Sequence, residues 1–221
     1  MFAYDQLKSG QLLSALQTHG MISVTHVPTF PSVRLETLLQ STACVEGATH
    51  TFEDGARRKT LASTTIPNGM QPMTACGAHF QNVSSYFRSA VADVVSEFAQ
   101  GVAEELGAGP PLLQTRSGFQ FHTFADVVEN GEHLEHFHSY QKSPGRSNER
   151  FGKRTLESHT DQGLFIAFTP AIAIDSSGNV GPDASTFEVR RADGSFHTVD
   201  FEPDAVVIML GDGVRQVVHP N

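Results

Sequence analysis

The segment Ser158-His159-Thr160-Asp161-Gln162-Gly163-Leu164 pairs an imidazole with a carboxylate two positions later. Alternate residues of an extended chain face the same way, so His159 and Asp161 can offer a nitrogen and an oxygen to one metal ion. A neutral imidazole and a carboxylate are two-thirds of the facial triad that holds non-heme iron with positions left open. The spacing alone is a weak signal. With 11 histidines in the chain, chance supplies roughly half a His-x-Asp in a protein of this size, and a surface turn or a capping Asp is the competing reading.

A second cluster lies just upstream, in Glu132-His133-Leu134-Glu135-His136-Phe137-His138-Ser139-Tyr140. As a strand it puts Leu134, His136, His138 and Tyr140 on one face and Phe137 on the other. A polar strand face inside a small barrel lines a pocket rather than a packed core; the alternative is a row of exposed histidines on an edge strand. His133 and Glu135 form a rival His-x-Glu metal pair, with no His-Glu-x-x-His to support it.

These residues need a scaffold. Residues 5–18 read as a short helix with Leu7, Leu12, Leu13 and Leu16 on one stripe, stopped by Gly20 and followed by a strand, Met21 to Val24. Ser32 reads as the cap of a second helix running to Leu39. From Gly47 to Gly77 periodicity is weak, and the expectation is loop with one short strand. The run Arg57-Arg58-Lys59 within it reads as a solvated face, otherwise a substrate contact. A long helix is expected near 82–106, with Tyr86, Phe87, Ala90, Val91, Val94, Val95, Phe98, Val102 and Leu106 at helical spacing and Gly107 placed to end it. After Pro110-Pro111 come short strand-like runs at 117–124, 133–141, 163–169, 186–191, 196–201 and 205–210, with Ala192 to Ser195 as a hairpin turn. Lys142 to Arg154 reads as a solvated loop that could close over an anionic substrate. Helices first and strands afterwards imply a mainly β (α+β) domain with helices packed outside.

The bulk properties set limits. At 39% hydrophobic and 18% charged residues the 221-residue chain is an ordinary globular one. A formal net charge of -9 argues against nucleic acid or an anionic membrane as main partner. No apolar run approaches a membrane span and the N-terminus lacks a signal pattern, so the expectation is a cytoplasmic protein. Cys44 and Cys76 read as reduced, incidental thiols.

The order of the second half (HTDQGL, an apolar strand from Gly163 to Thr169, a hairpin ending at Pro203-Asp204, an apolar strand from Ala205 to Leu210, then Gly211-Asp212) resembles the isopenicillin N synthase-like branch of the iron(II)/2-oxoglutarate-dependent oxygenases. Ala15 to His26 is similar to that branch's opening helix and strand, and the helix near 82–106 sits where the branch has its spine helix. The resemblance implies a double-stranded β-helix (jelly roll) within a single domain over 1–221. Residues 1–110 would form a helical N-terminal layer with the first strands, and 111–221 a jelly-roll core incomplete at its C-terminus. It implies Fe(II) held by His159 and Asp161, and 2-oxoglutarate held with the help of Tyr140 and His138. In the resembled strand an Asn-x-Tyr pair is usual, and His138 stands where the Asn would be.

The resemblance also implies a second ligand histidine on a later strand and, shortly after it, an Arg for the distal carboxylate of 2-oxoglutarate. The late candidate is His219, seven positions after Asp212 and followed by Pro220. Proline favours a turn there, so the expectation is that His219 lies in a tight turn and the ligand comes after Asn221. The activity implied for the full-length form is oxidation of a small molecule by O2, coupled to decarboxylation of 2-oxoglutarate to succinate. Two alternatives stand beside it: an inactive oxygenase-fold scaffold, and a cupin-like metal enzyme that uses no 2-oxoglutarate. Substrate and oligomeric state are not legible.

Overall fold

The computed structural model describes residues 1–53, 55–66, 69–70, 76–107, 113–114, 118–142, 159–181, 187–191 and 193–214. The elements in chain order begin with β1 (Phe2–Ala3), α1 (Leu12–His19), β2 (Met21–Thr25), α2 (Phe30–Ala43), β3 (Ala48–Thr51), β4 (Arg57–Ile66) and β5 (Gly69–Met70). The long helix α3 (Gly77–Leu106) is followed by β6 (Leu113–Gln114), β7 (Gln120–Phe121), α4 (Phe124–Asn130) and β8 (His133–Gln141). The remaining strands are β9 (Phe165–Phe168), β10 (Ala173–Ile174), β11 (Val180–Gly181), β12 (Phe187–Arg190), β13 (Phe196–Val199) and β14 (Val206–Leu210). The result is a mixed α/β protein in two compact units, one from residues 1–32, 88–130 and 160–221, the other from 33–87 and 131–159. Among the described residues no helix is long and apolar enough to cross a membrane.

The first unit is organised by β14. Ala205, Val206, Val207 and Ile208 are all buried, because β14 lies between β2 and β9 in the sheet β1-β2-β14-β9. An apolar strand with neighbours on both sides, pairing Ile208 with Ile22 and with Ala167, is the strongest signal a sequence of this kind carries. Phe165 of β9 packs edge-on to Phe98 of α3, and Phe168 stacks on Phe187. Helix α1 has no cap of its own: Glu105, at the far end of α3, accepts hydrogen bonds from the Leu12 and Leu13 N–H groups at 2.8 Å each. A carboxylate at a helix N-terminus satisfies two orphan donors and opposes the helix dipole. Gly101 lets α3 come this close, since a Cβ there would meet the Leu7 carbonyl oxygen at 2.5 Å.

The second unit is a sheet backed by helix. Strand β4 pairs with β3 and β5 on one side and with β8 on the other. Its buried face carries Leu61 and Phe137, which pack with Cys44 and Phe80, while Leu38, Cys76 and Phe87 lie against them. Phe80 and Phe137 meet edge-on with ring centroids 5.6 Å apart.

Several expectations change. The stretch 47–77 holds a ten-residue strand instead of mostly loop; most of its residues are polar, and its partner β8 lies far along the chain, so pairing more than hydrophobicity makes it a strand. Helix α2 starts at Phe30 with Pro31 in the first turn, and the Ser32 hydroxyl bonds back to the Thr29 carbonyl, so Ser32 is not the cap. It runs beyond Leu39 to Ala43 because Lys59 Nζ donates to the carbonyls of Thr42 at 2.9 Å and Cys44 at 2.6 Å. Of residues 117–124, expected as strand, the described ones form strand only at Gln120–Phe121, and the chain turns into α4 at Phe124, capped reciprocally by Thr123 and Asp126. Three hydrogen bonds, from the His122 and Thr123 N–H groups and from the Thr123 hydroxyl, hold the Asp126 pKa below the usual carboxylate range. Cys44 and Cys76, expected as free thiols, form a disulfide with Cα atoms 4.5 Å apart. The two positions lie at the end of α2 and the start of α3, which packing of the unit brings together.

Candidate functional site

Residues 159–164 are not strand; β9 begins only at Phe165. His159 is exposed and Asp161 half-buried. The expected strand alternation therefore does not set their geometry. What holds Asp161 is the backbone: the Asp212 N–H donates to the Asp161 carbonyl at 2.8 Å, the Gly211 N–H to Leu164 at 2.9 Å, and the Gly213 N–H to Gly163 at 3.1 Å. A Cβ on Gly211 would overlap the Gly163 carbonyl oxygen, and one on Gly213 would lie 3.0 Å from it. The Gly-Asp motif read near the end of the sequence thus clamps the Asp161 loop, and glycine is required because two backbones touch. The donor set, an imidazole and a carboxylate two residues apart on a tethered segment, suits a divalent first-row metal such as Fe(II). His219 and residues 143–154 of the Lys142–Arg154 loop lie outside the described residues.

The second set of candidate residues lies on a sheet face. In β8, Leu134, His136, His138 and Tyr140 are exposed while Phe137 is buried, as alternation requires. Register puts Ala62, Thr60 and Arg58 of β4 opposite His136, His138 and Tyr140, and Ala48 and His50 of β3 opposite Thr60 and Arg58. The Thr60 hydroxyl and His138 Nδ1 share a hydrogen bond of 2.9 Å. His138 lies 5.5 Å from the His136 ring and 6.3 Å from the Tyr140 ring, centroid to centroid. Its pKa is pushed below the ordinary imidazole value, first by desolvation among these neighbours, then by the charges of His136 and Arg58. His138 is thus a neutral ring near pH 7, able to donate from one nitrogen and accept at the other.

His138 and Tyr140, expected as co-substrate contacts, lie on the open face of β8, against a strand, β4, that was expected as loop. Arg57-Arg58-Lys59, expected as one solvated run, is split by the strand: Arg58 faces His138 and Tyr140, whereas Lys59 turns to the end of α2. The alternate positions Arg58, Thr60, Ala62 and Thr64, which share one face of an extended chain, were the available signal. His133 and Glu135, the rival metal pair, lie on the opposite face of β8 from His138. Among the described residues, three ligand-type side chains gather only at Cys44, Glu46 and Cys76, where both sulfurs are already bonded to each other.

No family model matches this sequence, and no curated protein does. Solved structures do. Dioxygenase for auxin oxidation 1 from Arabidopsis thaliana, solved with 2-oxoglutarate, superposes at a TM-score of 0.61 over 94% of this chain and 76% of that one, with 16% identity. A full-length Neurospora crassa protein in complex with α-ketoglutarate, another name for 2-oxoglutarate, gives 0.55 at 15% identity, over 96% of this chain and 69% of that one. Its C-terminally truncated apo form gives 0.54 at 16% identity, over 96% and 76%. The chain has the fold of the 2-oxoglutarate-dependent oxygenases. That is the fold implied by the resemblance carried by HTDQGL and the Gly-Asp motif, at the level of the superfamily and not of its branch.

Proposed function

We propose that the protein is a non-heme Fe(II)/2-oxoglutarate-dependent dioxygenase that oxidises a small molecule with O2, built on a jelly-roll core of the isopenicillin N synthase-like kind over residues 111–221. The observation that carries the reading is the coincidence of a shared fold with the Asp161 loop clamped by Gly211-Asp212. His159 and Asp161 are the metal ligands in this reading. When bound, the iron and 2-oxoglutarate supply the oxidising chemistry; the chain's part is to bind, orient and shield. Asp161 brings a carboxylate held in place through its own carbonyl. Tyr140 and His138 hold the co-substrate: the phenol donates to a carboxylate oxygen, and the neutral imidazole, steadied by Thr60, offers the donor that the more usual Asn would supply.

Succinate release from added 2-oxoglutarate, dependent on Fe(II) and O2, tests the activity. Metal retention without such release would favour a metal enzyme that uses no 2-oxoglutarate, and neither would favour a scaffold. Tyr140→Phe should raise the 2-oxoglutarate requirement several-fold, since a hydrogen bond to a charged acceptor is worth about 1.5–3 kcal/mol, with metal affinity unchanged. An unaltered requirement would remove Tyr140 from the site.

A further inference from the structure

Arg58 has a task that its described neighbours do not fill. Its Nε is shielded from water and meets no hydrogen-bond acceptor among the described residues. Its guanidinium carbon lies 6.0 Å from the centre of the Phe52 ring, and Phe52 in turn meets His50 edge-on at 4.8 Å. Opposite Arg58 stand His50 on one side and Tyr140 on the other. The face they share also carries His136 and His138 and no carboxylate at any described register position, in a chain whose net charge is -9. A sheet face cleared of acids in an acidic protein, with a buried and unanswered guanidinium nitrogen, is built for an anion. An unpaired buried donor is costly until it is answered, and the planar guanidinium fork matches a carboxylate.

We infer that this face recognises a small carboxylate-bearing molecule anchored on Arg58, and that this carboxylate belongs to the substrate. Naming it the substrate rests on the dioxygenase reading; the binding itself does not. The co-substrate contacts proposed above are on β8, whereas Arg58 and His50 lie on β4 and β3, one and two strand spacings of about 4.8 Å away. The two anions therefore occupy neighbouring positions on one face.

Benzoate, with benzamide as its neutral counterpart, is the probe, titrated into the full chain without metal or 2-oxoglutarate and followed by amide NMR shifts. Benzoate should shift His50, Arg58, Thr60 and Tyr140 and bind at least tenfold tighter than benzamide. Arg58→Gln should abolish that preference and Arg58→Lys keep part of it. Arg57→Gln, on the other face of the same strand, should leave binding within twofold, and 2-oxoglutarate affinity should change less than twofold in Arg58→Gln. Equal binding of benzoate and benzamide, or an Arg58→Gln variant that still prefers benzoate, would overturn the inference. So would an equal loss of 2-oxoglutarate and benzoate in Arg58→Gln, which would give Arg58 to the co-substrate. Absence of succinate release would count against the dioxygenase reading and leave the benzoate result standing.

Discussion

The two four-stranded sheets of this protein use their strands in opposite ways. In the sheet β1-β2-β14-β9 the strand β14 is buried from Ala205 to Ile208, and its residues do nothing but pack. In the sheet around β4, one face is packed on Phe80 and the disulfide, while the other shows Arg58, His136, His138 and Tyr140. The first sheet carries stability in apolar side chains. The second leaves an open polar face, the proposed binding surface, on strands held in place by backbone pairing and a small core.

Substitutions should separate the two roles. Ile208→Ala removes a fully buried side chain and should cost about 2–5 kcal/mol in urea unfolding. Leu134→Ala, on the open face of β8 and 73% exposed, should cost less than about 0.5 kcal/mol. Comparable losses would erase the distinction. Next in size is the disulfide: it closes a loop of 32 positions, and its loss in a Cys44→Ala/Cys76→Ala pair should lower stability by about 3–4 kcal/mol on the chain-entropy account. Thiol counting on the denatured protein, with and without reductant, must first find both sulfurs oxidised; two free thiols would return the pair to the simpler reading.

The smallest effect is a pH dependence on the open face. The folded pKa of His138 lies below its unfolded value, so the unfolded chain binds the extra proton and stability rises with pH in that window. The contribution is complete above the ordinary imidazole pKa of about 6.5 and is lost as pH falls through the folded value. The groups facing His138 are Arg58 and Thr60 from β4, and His136 and Tyr140 from β8. His138→Gln should flatten the slope of stability against pH between about 5 and 7. An unchanged slope would mean that the face is more open to water than its packing indicates.

The contrast also explains what could be read from sequence. Strand β14, the hairpin of β12 and β13, and α3 with its Gly107 stop were legible because apolar periodicity and turn residues act locally. Strand β4 was not: Arg57 to Thr60 gain their structure from β3 and β8, partners that no local pattern announces. The cap of α1 was invisible for the same reason, since Glu105 comes from the far end of α3. The Thr123-x-x-Asp126 box, by contrast, was a local signal that went unread. Side-chain type alone singled out His138, Tyr140 and Asp161 as candidates. The partners Thr60 and Arg58 required the register.

The central claim is that His159 and Asp161 hold a metal, and anaerobic titration with Co(II), a visible stand-in for Fe(II), tests it most directly. Loss of even an outer hydrogen-bond partner of a metal ligand costs about 10–100-fold in affinity, so loss of a ligand should cost at least that. The account predicts one site per chain, weakened at least tenfold by His159→Ala and again by Asp161→Ala, and unmoved by His219→Ala. Binding by both of the first two variants as tight as that of the parent would contradict it.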